Sequence, residues 1–180
     1  IEASVIPNIP LSIEKKVMVL RDYKTSVLIT TPALAMELAA YIKQQGINTN
    51  ALELSTLILA GEQITPDTRR FLEETLHVSV WLHYGLSEVP GPAIAFECPA
   101  HQGLHVNEDH FLAEIVDPDT GRLLPEGEPG ELVLTTLTTR AFPLIRFRTG
   151  DKASAYMEPC PCGRSLKRIK WYSERTDDIM

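Results

Sequence analysis

The sequence predicts an α/β protein in which a parallel βαβ layer (residues 1–100) is followed by a β-rich subdomain (residues 101–172). Three observations carry this reading. Short apolar runs alternate with helix-period segments in the first part, and Thr-Pro pairs open two of those segments. Beyond them the apolar pattern switches to period two between Pro/Gly-rich turns.

Residues 11–22 place Ile13, Val17 and Leu20 at helical spacing, with Ser12 as a candidate N-cap. The run 27–29 reads as a buried strand. It feeds Thr31-Pro32, a cap followed by proline at the first helical position, and Leu34, Leu38, Tyr41 and Ile42 are expected on one helix face before Gly46 ends it. A second unit repeats the pattern: strand 57–60, a Gly61-Glu62-Gln63 turn, the Thr65-Pro66 start, and a stripe of Phe71, Leu72, Thr75 and Leu76. Strand 78–82 follows. Runs this apolar suit a parallel sheet covered by helices. In the second part, 111–116 alternates, 117–121 and 125–130 read as turns, and 131–137 and 144–148 read as strands, with no useful helix between 101 and 170. Glu126, Glu128 and Glu131 are expected on a solvated turn, and Trp81 and Trp171 as packing residues.

The chain is long enough for a substantial core, and its apolar content of 44% is ordinary for a globular protein. Seventeen basic residues are scattered among 24 acidic ones, for a net charge of −7, which argues against a nucleic-acid surface. No apolar run approaches the ~18–20 residues of a membrane span, and no basic-then-apolar leader opens the chain. Three cysteines, an odd number, speak against a disulfide framework and for a reducing, cytoplasmic location. Oligomeric state leaves no mark in the sequence.

Three segments hold complementary chemistry: Gly61-Glu62-Gln63, Tyr84-Gly85-Leu86-Ser87-Glu88 and Arg148-Thr149-Gly150-Asp151. The first two follow strands, where α/β proteins place ligands. Tyr84 offers a flat face for a base, Ser87 a hydroxyl, Glu88 a hard oxygen for Mg²⁺ beside phosphates, and Asp151 an acceptor for ribose hydroxyls. No Walker loop is present, so the set reads as a nucleotide site of another design.

The stretch from Tyr84 to Gly121, with Leu123 to Asp151 after it, resembles the phenylacetate–coenzyme A ligase family of adenylate-forming enzymes. The resemblance implies part of the N-terminal domain of such an enzyme, its β-rich subdomain distorted and barrel-like, with residues 173–180 opening the hinge to a C-terminal domain. It also implies ATP, Mg²⁺ and coenzyme A, with phenylacetate or a related aryl acid made first into an acyl-adenylate and then a thioester. By position, Gly61, Glu62 and Gln63 match the adenine-side loop, Tyr84 and the following Gly85 the adenine-stacking motif, and Ser87 a hydroxyl near the α-phosphate. Glu88 matches the magnesium carboxylate, Asp151 the ribose-binding aspartate, Arg175 the nucleotide-reaching arginine and Asp177 the hinge. The first three segments are then expected to line one cleft, with Ala60 and Gly91-Pro92-Ala93 near an apolar acid pocket. Two positions depart from the family: Glu174 stands where glycine is usual, and Leu82 replaces an acidic or amide residue, leaving His83 as a substitute adenine contact. The family's phosphate loop and lysine-bearing domain fall outside the sequence, so these 180 residues alone are expected to be inactive. Alternatives are an adenylyltransferase stopping at an AMP conjugate and a non-catalytic nucleotide-binding zinc module.

Cys160-Pro161-Cys162-Gly163 makes a sharp turn plausible, and Cys98 precedes His101 and His105. A tetrahedral zinc site often draws two ligands from each of two loops. Some members of the resembled family carry these cysteines together. The expected ligands are Cys98, Cys160, Cys162 and His105, with His101 as the alternative to His105.

Overall fold

The computed structural model describes residues 4–6, 11–89 and 93–175. The chain forms two compact units, Ile1–Trp81 and Leu82–Met180. The division falls inside a strand whose last residues join the antiparallel ladder.

The first unit contains α1 (Ile13–Asp22), β1 (Val27–Thr30), α2 (Pro32–Gln45), a 3₁₀ turn (Thr49–Ala51), β2 (Thr56–Ala60), α3 (Pro66–Leu76) and the start of β3 (Ser79–Tyr84). Both Thr-Pro starts behave as capped helices: Thr31 Oγ1 accepts from Leu34 N at 3.4 Å and Thr65 Oγ1 from Thr68 N at 3.1 Å. Ser12 occupies the cap position of α1 but makes no side-chain cap bond. Gly46 ends α2 in the left-handed region at φ 62°. β1 and β2 pair in parallel from Val27↔Thr56 to Thr30↔Leu59.

The buried stripe of α2 is Ala35, Leu38, Ala39 and Ile42; Leu34 and Tyr41, expected on that face, are half-buried on its flanks. The alanines are small enough to let the helix seat closely. In α3, Leu72 and Leu76 are buried while Phe71 and Thr75 flank them. Buried Leu57, Leu59, Leu72 and Leu76 each contribute roughly 1.5–3 kcal/mol of transfer free energy. Cover is one-sided at β1, whose Val27 and Ile29 remain exposed.

The second unit takes the end of β3 and adds β4 (Ala95–Phe96), β5 (Leu104–Val106), β6 (Phe111–Val116), β7 (Gly130–Thr136), β8 (Phe147–Tyr156) and β9 (Arg168–Arg175). The order β3-β4-β5-β9-β8-β7-β6 is antiparallel at every step. Register shifts interrupt β7–β8 at Glu131/Val133 and β8–β9 at Asp151/Ala153. The 117–121 turn is held by Asp117, whose Oδ1 accepts from Thr120 N at 2.7 Å. Gly130 opens β7 where a Cβ would stand 2.4 Å from Val116 O, so no side chain fits there.

Three expectations change here. β3 runs two residues beyond its expected end, so Tyr84 is a strand residue; alternation then buries Val80, Leu82 and Tyr84 on one face. Arg148 to Asp151 lie within β8, which begins at Phe147 rather than residue 144. Glu131 is not on a solvated turn. It is 2% exposed, its carboxylate accepts from Arg148 Nε at 2.7 Å, and Gly150 N donates to it at 3.2 Å.

Candidate nucleotide site and metal cluster

The centre of the candidate site lies within the second unit. Tyr84 Oη donates to Asp151 Oδ2 at 2.6 Å, with the two residues only 1% and 6% exposed. β8 delivers the aspartate: Asp151 N donates to Thr149 Oγ1 at 3.0 Å, and that hydroxyl donates to Leu132 O at 2.8 Å. Trp171 packs edge-on against the Tyr84 ring, centroids 5.0 Å apart at 64°. The ring therefore presents no open face in this conformation, unlike the flat platform expected of it, because its strand turns it inward. Across the β8–β9 ladder, Asp151 is the Cα partner of Arg175. Sequence positions 67 residues apart in one case and adjacent-strand partners in the other are thus brought together.

Beyond β3, Gly85 is half-buried while Ser87 and Glu88 are exposed on a turn, where Ser87 Oγ donates to Glu88 Oε2 at 3.1 Å. The open carboxylate is a hard donor suited to Mg²⁺. Gly61, Glu62 and Gln63 belong to the first unit and form the turn at the carboxyl end of β2, with Gly61 at φ 95°. Asp177, Gly91 and Pro92 lie outside the described residues; Ala93 O accepts from Asn107 Nδ2 at 3.0 Å.

Glu97 escaped the sequence reading. Its Oε2 accepts from Leu82 N at 2.8 Å while its own N donates to Leu82 O at 3.0 Å, fastening the strand that carries Tyr84. Glu97 Oε1 also lies 3.3 Å from His101 Nδ1. Burial lowers the pKa of nearby His83, against an opposing pull from Glu97.

A second cluster joins Cys98, His105, Cys160 and Cys162, whose ligand atoms all lie within 4.8 Å of one another. Cys98 Sγ is 3.6 Å from Cys160 Sγ, and Cys162 Sγ is 3.4 Å from His105 Nε2. Tetrahedral zinc with bonds of about 2.3 Å to sulfur and 2.0–2.1 Å to nitrogen separates its ligands by about 3.5–3.8 Å, so the donor set fits that ion. His101, the alternative ligand, turns to Glu97 instead, its backbone at φ 49°. β5 supplies the reason His105 reaches the cluster: it pairs His105 with Phe96 on one side and Arg168 on the other. Gly103, at φ 91° and with Ile169 O 2.9 Å from any added Cβ, allows the loop to close onto β9. The backbone N–H of Arg164 lowers the Cys162 pKa to about 6, whereas burial raises that of Cys98.

The AMP-binding enzyme family matches residues 3–139. The chain is 43% identical over 168 residues to a phenylacetate–coenzyme A ligase of Thermus thermophilus, covering 93% of this chain and 38% of that protein. It is 35% identical over 180 residues to the Escherichia coli phenylacetate–coenzyme A ligase, covering 99% of this chain and 40% of that protein. Among solved structures, a 2-hydroxyisobutyryl-CoA ligase in complex with 2-HIB-AMP and CoA superposes with a TM-score of 0.85 at 25% identity, over 96% of this chain and 41% of that one. A benzoate CoA ligase from Burkholderia xenovorans shares the fold at a TM-score of 0.67 and 16% identity, over 93% of this chain and 35% of that one. The chain thus spans about two fifths of the length of the curated relatives it matches. With the family match running through β1 to β7, the chain belongs to the AMP-binding enzyme family.

Proposed function

We propose that this chain carries the nucleotide-holding part of an AMP-forming acid–CoA ligase acting on phenylacetate or a related aryl acid. The observation that supports this most is the buried Tyr84–Asp151 hydrogen bond, with Arg175 opposite Asp151 in the ladder. In the first half-reaction a carboxylate oxygen attacks the α-phosphorus of ATP, the bond to the bridging oxygen breaks, and pyrophosphate leaves. In the second, the coenzyme A thiolate attacks the acyl carbon and AMP departs with the electron pair.

Asp151 serves in this reading as the ribose acceptor, held by Thr149 and Tyr84, and Tyr84 borders the adenine. Gly61, Glu62 and Gln63 complete the adenine side, Ser87 stands near the α-phosphate, Arg175 reaches the nucleotide, and Asp177 is the hinge. Glu88 would hold Mg²⁺, which when bound offsets phosphate charge; Ser87 orients that carboxylate. Such catalysis rests mainly on positioning and charge stabilisation.

Phenylacetate-dependent exchange of labelled pyrophosphate into ATP, followed by thioester formation on adding coenzyme A, tests the reading on the full-length protein. Glu88→Gln should abolish the exchange. A stable AMP conjugate that coenzyme A does not consume would replace the ligase with an adenylyltransferase. ATP binding by the native full-length protein with neither exchange nor thioester formation would point to a non-catalytic nucleotide-binding module.

The Cys98, His105, Cys160 and Cys162 cluster supports a structural zinc ion in the same protein. Its role is to clamp the 97–105 segment to the β8–β9 connection. Metal analysis of protein purified without chelators should find one zinc per chain; no zinc, with all three thiols freely titratable, would reject it.

A further inference from the structure

Arg168 is buried to 6% exposure beside the metal cluster, on the same ladder position as His105. Directly opposed residues of an antiparallel pair project to one face with Cβ atoms about 4.5–5.5 Å apart. Among the described residues the guanidinium bonds to two neutral carbonyls: Nη1 donates to Gln102 O at 2.8 Å and Nη2 to Glu158 O at 3.1 Å. One of those carbonyls lies between Cys98 and His105, the other two residues before Cys160. Arg168 therefore sits between the two loops that carry the cysteines. Two buried side-chain nitrogens among the described residues lack any hydrogen-bond partner, Arg168 Nε and His105 Nδ1, and both are here.

A buried guanidinium is costly to desolvate unless an anion compensates it. The neighbouring donor set, once loaded, supplies such an anion. A divalent ion with three thiolates and one neutral imidazole carries one net negative charge, and it too must be desolvated.

Resting on the zinc reading above, we infer that Arg168 is the buried charge-compensating residue of a trithiolate–imidazole metal centre, balancing its excess anionic charge from the interior while exposed Arg164, whose Nη1 lies 3.6 Å from Cys162 Sγ, faces it from the solvent side. Its two carbonyl bonds hold the charge between the ligand loops, and its Nε is left without a hydrogen-bond partner. The arrangement favours three thiolates over two, because a site with two thiolates and two imidazoles would be neutral and would leave Arg168 uncompensated.

The test measures zinc affinity by chelator competition on the chain and on four variants. Arg168→Gln keeps donor groups but loses the charge, and should weaken zinc binding about 10–100-fold, the range seen when groups supporting metal ligands are removed. Arg168→Lys keeps the charge but loses the fork, and should stay within a few-fold of the native value. Cys162→His makes the loaded centre neutral, and in that background Arg168→Gln should cost little or nothing. Co²⁺ substitution supplies a second readout, since its ligand-field spectrum reports tetrahedral thiolate coordination in each variant. Equal losses from Arg168→Gln in both backgrounds, or a larger loss in Arg168→Lys than in Arg168→Gln, would overturn charge compensation and leave a structural tie. If Arg168→Gln does not fold, the Arg168→Lys comparison still decides, because loss of zinc with the charge retained contradicts the inference. Failure of the native chain to bind zinc at all would reject the underlying metal site instead.

Discussion

Tyr84→Phe removes one oxygen and nothing else from the centre of the candidate site. The ring and its edge contact with Trp171 persist, so the ~0.5–1.5 kcal/mol carried by that aromatic pair is retained. What disappears is a 2.6 Å O–H···O bond to a carboxylate, buried at both ends. Hydrogen bonds to charged groups contribute about 1.5–3 kcal/mol net, and one this short belongs in that class. The folded-to-unfolded ratio of the second unit should therefore fall about 10–150-fold, and its Tm by roughly 6–24 °C at about 4–8 °C per kcal/mol for a unit of about a hundred residues. Asp151→Asn perturbs the same bond from the other side, so the pair makes a double-mutant cycle. Urea unfolding should be followed through Trp171 fluorescence in a Trp81→Phe background, so that the signal reports the ring packed on Tyr84. A coupling energy of about 1–3 kcal/mol is expected. Losses that simply add, with coupling below about 0.5 kcal/mol, would mean that Tyr84 and Asp151 do not act as a bonded pair, and the reasoning that seats Asp151 would fall.

Three further outcomes follow from other parts of the molecule. Gly130→Ala drives a methyl against Val116 O at 2.4 Å and the Leu124 side chain at 2.5 Å; it should cost about 1–3 kcal/mol by urea midpoint with m unchanged. Chelation of the metal should destabilise the second unit alone, by about 4 kcal/mol if free zinc stood a thousandfold above its dissociation constant, read as a Tm that climbs again on adding zinc back. Acidification carries a definite sign at His83. Burial lowers its folded pKa, so the unfolded chain takes up the proton first, and the stability this residue contributes is complete above the unfolded value of about 6.5 and lost as pH falls through the folded one. His83→Gln should flatten the acid limb of the stability–pH curve relative to the native chain, and an unchanged limb would remove His83 from the account.

Legibility in the sequence followed the physics of each element. Local signals read well: the Thr-Pro starts, Gly46 and the alternation of 111–116 each depend on residues within a turn or a strand of one another. Pairing across long separations did not. β4 and β5, two and three residues long, are too short to show a period, and they exist because β3 and β9 offer them edges. Tyr84 looked like a loop residue because Gly85 follows it, yet strand alternation carries through it and buries the ring. Glu131 sat among turn acids, and only the return of β8 brings Arg148 to it. The cysteine cluster was readable because its chemistry restricts the partners: three thiols and one of two histidines leave few combinations. Arg168 was not, since nothing local separates it from any surface basic residue.

β9 makes the two sites one structural problem. Within eight residues it places Arg168 opposite His105, Ile169 opposite Leu104, Trp171 against Tyr84 and Arg175 opposite Asp151. A one-residue slip would flip Arg168, Ile169 and Trp171 to the other face, and a sheet with two register shifts nearby is not protected by regular pairing alone. On the zinc reading proposed above, a metal joining Cys98 and His105 to Cys160 and Cys162 would pin the β5 side to the connection that feeds β9 just where that strand begins. Such a clamp would fix the register from which Trp171 and Arg175 are counted, and so act on the proposed nucleotide site without touching it. Zinc removal should accordingly weaken the Tyr84–Asp151 coupling energy as well as lower overall stability; a coupling unchanged in metal-free protein would show that the β8–β9 ladder holds its register unaided.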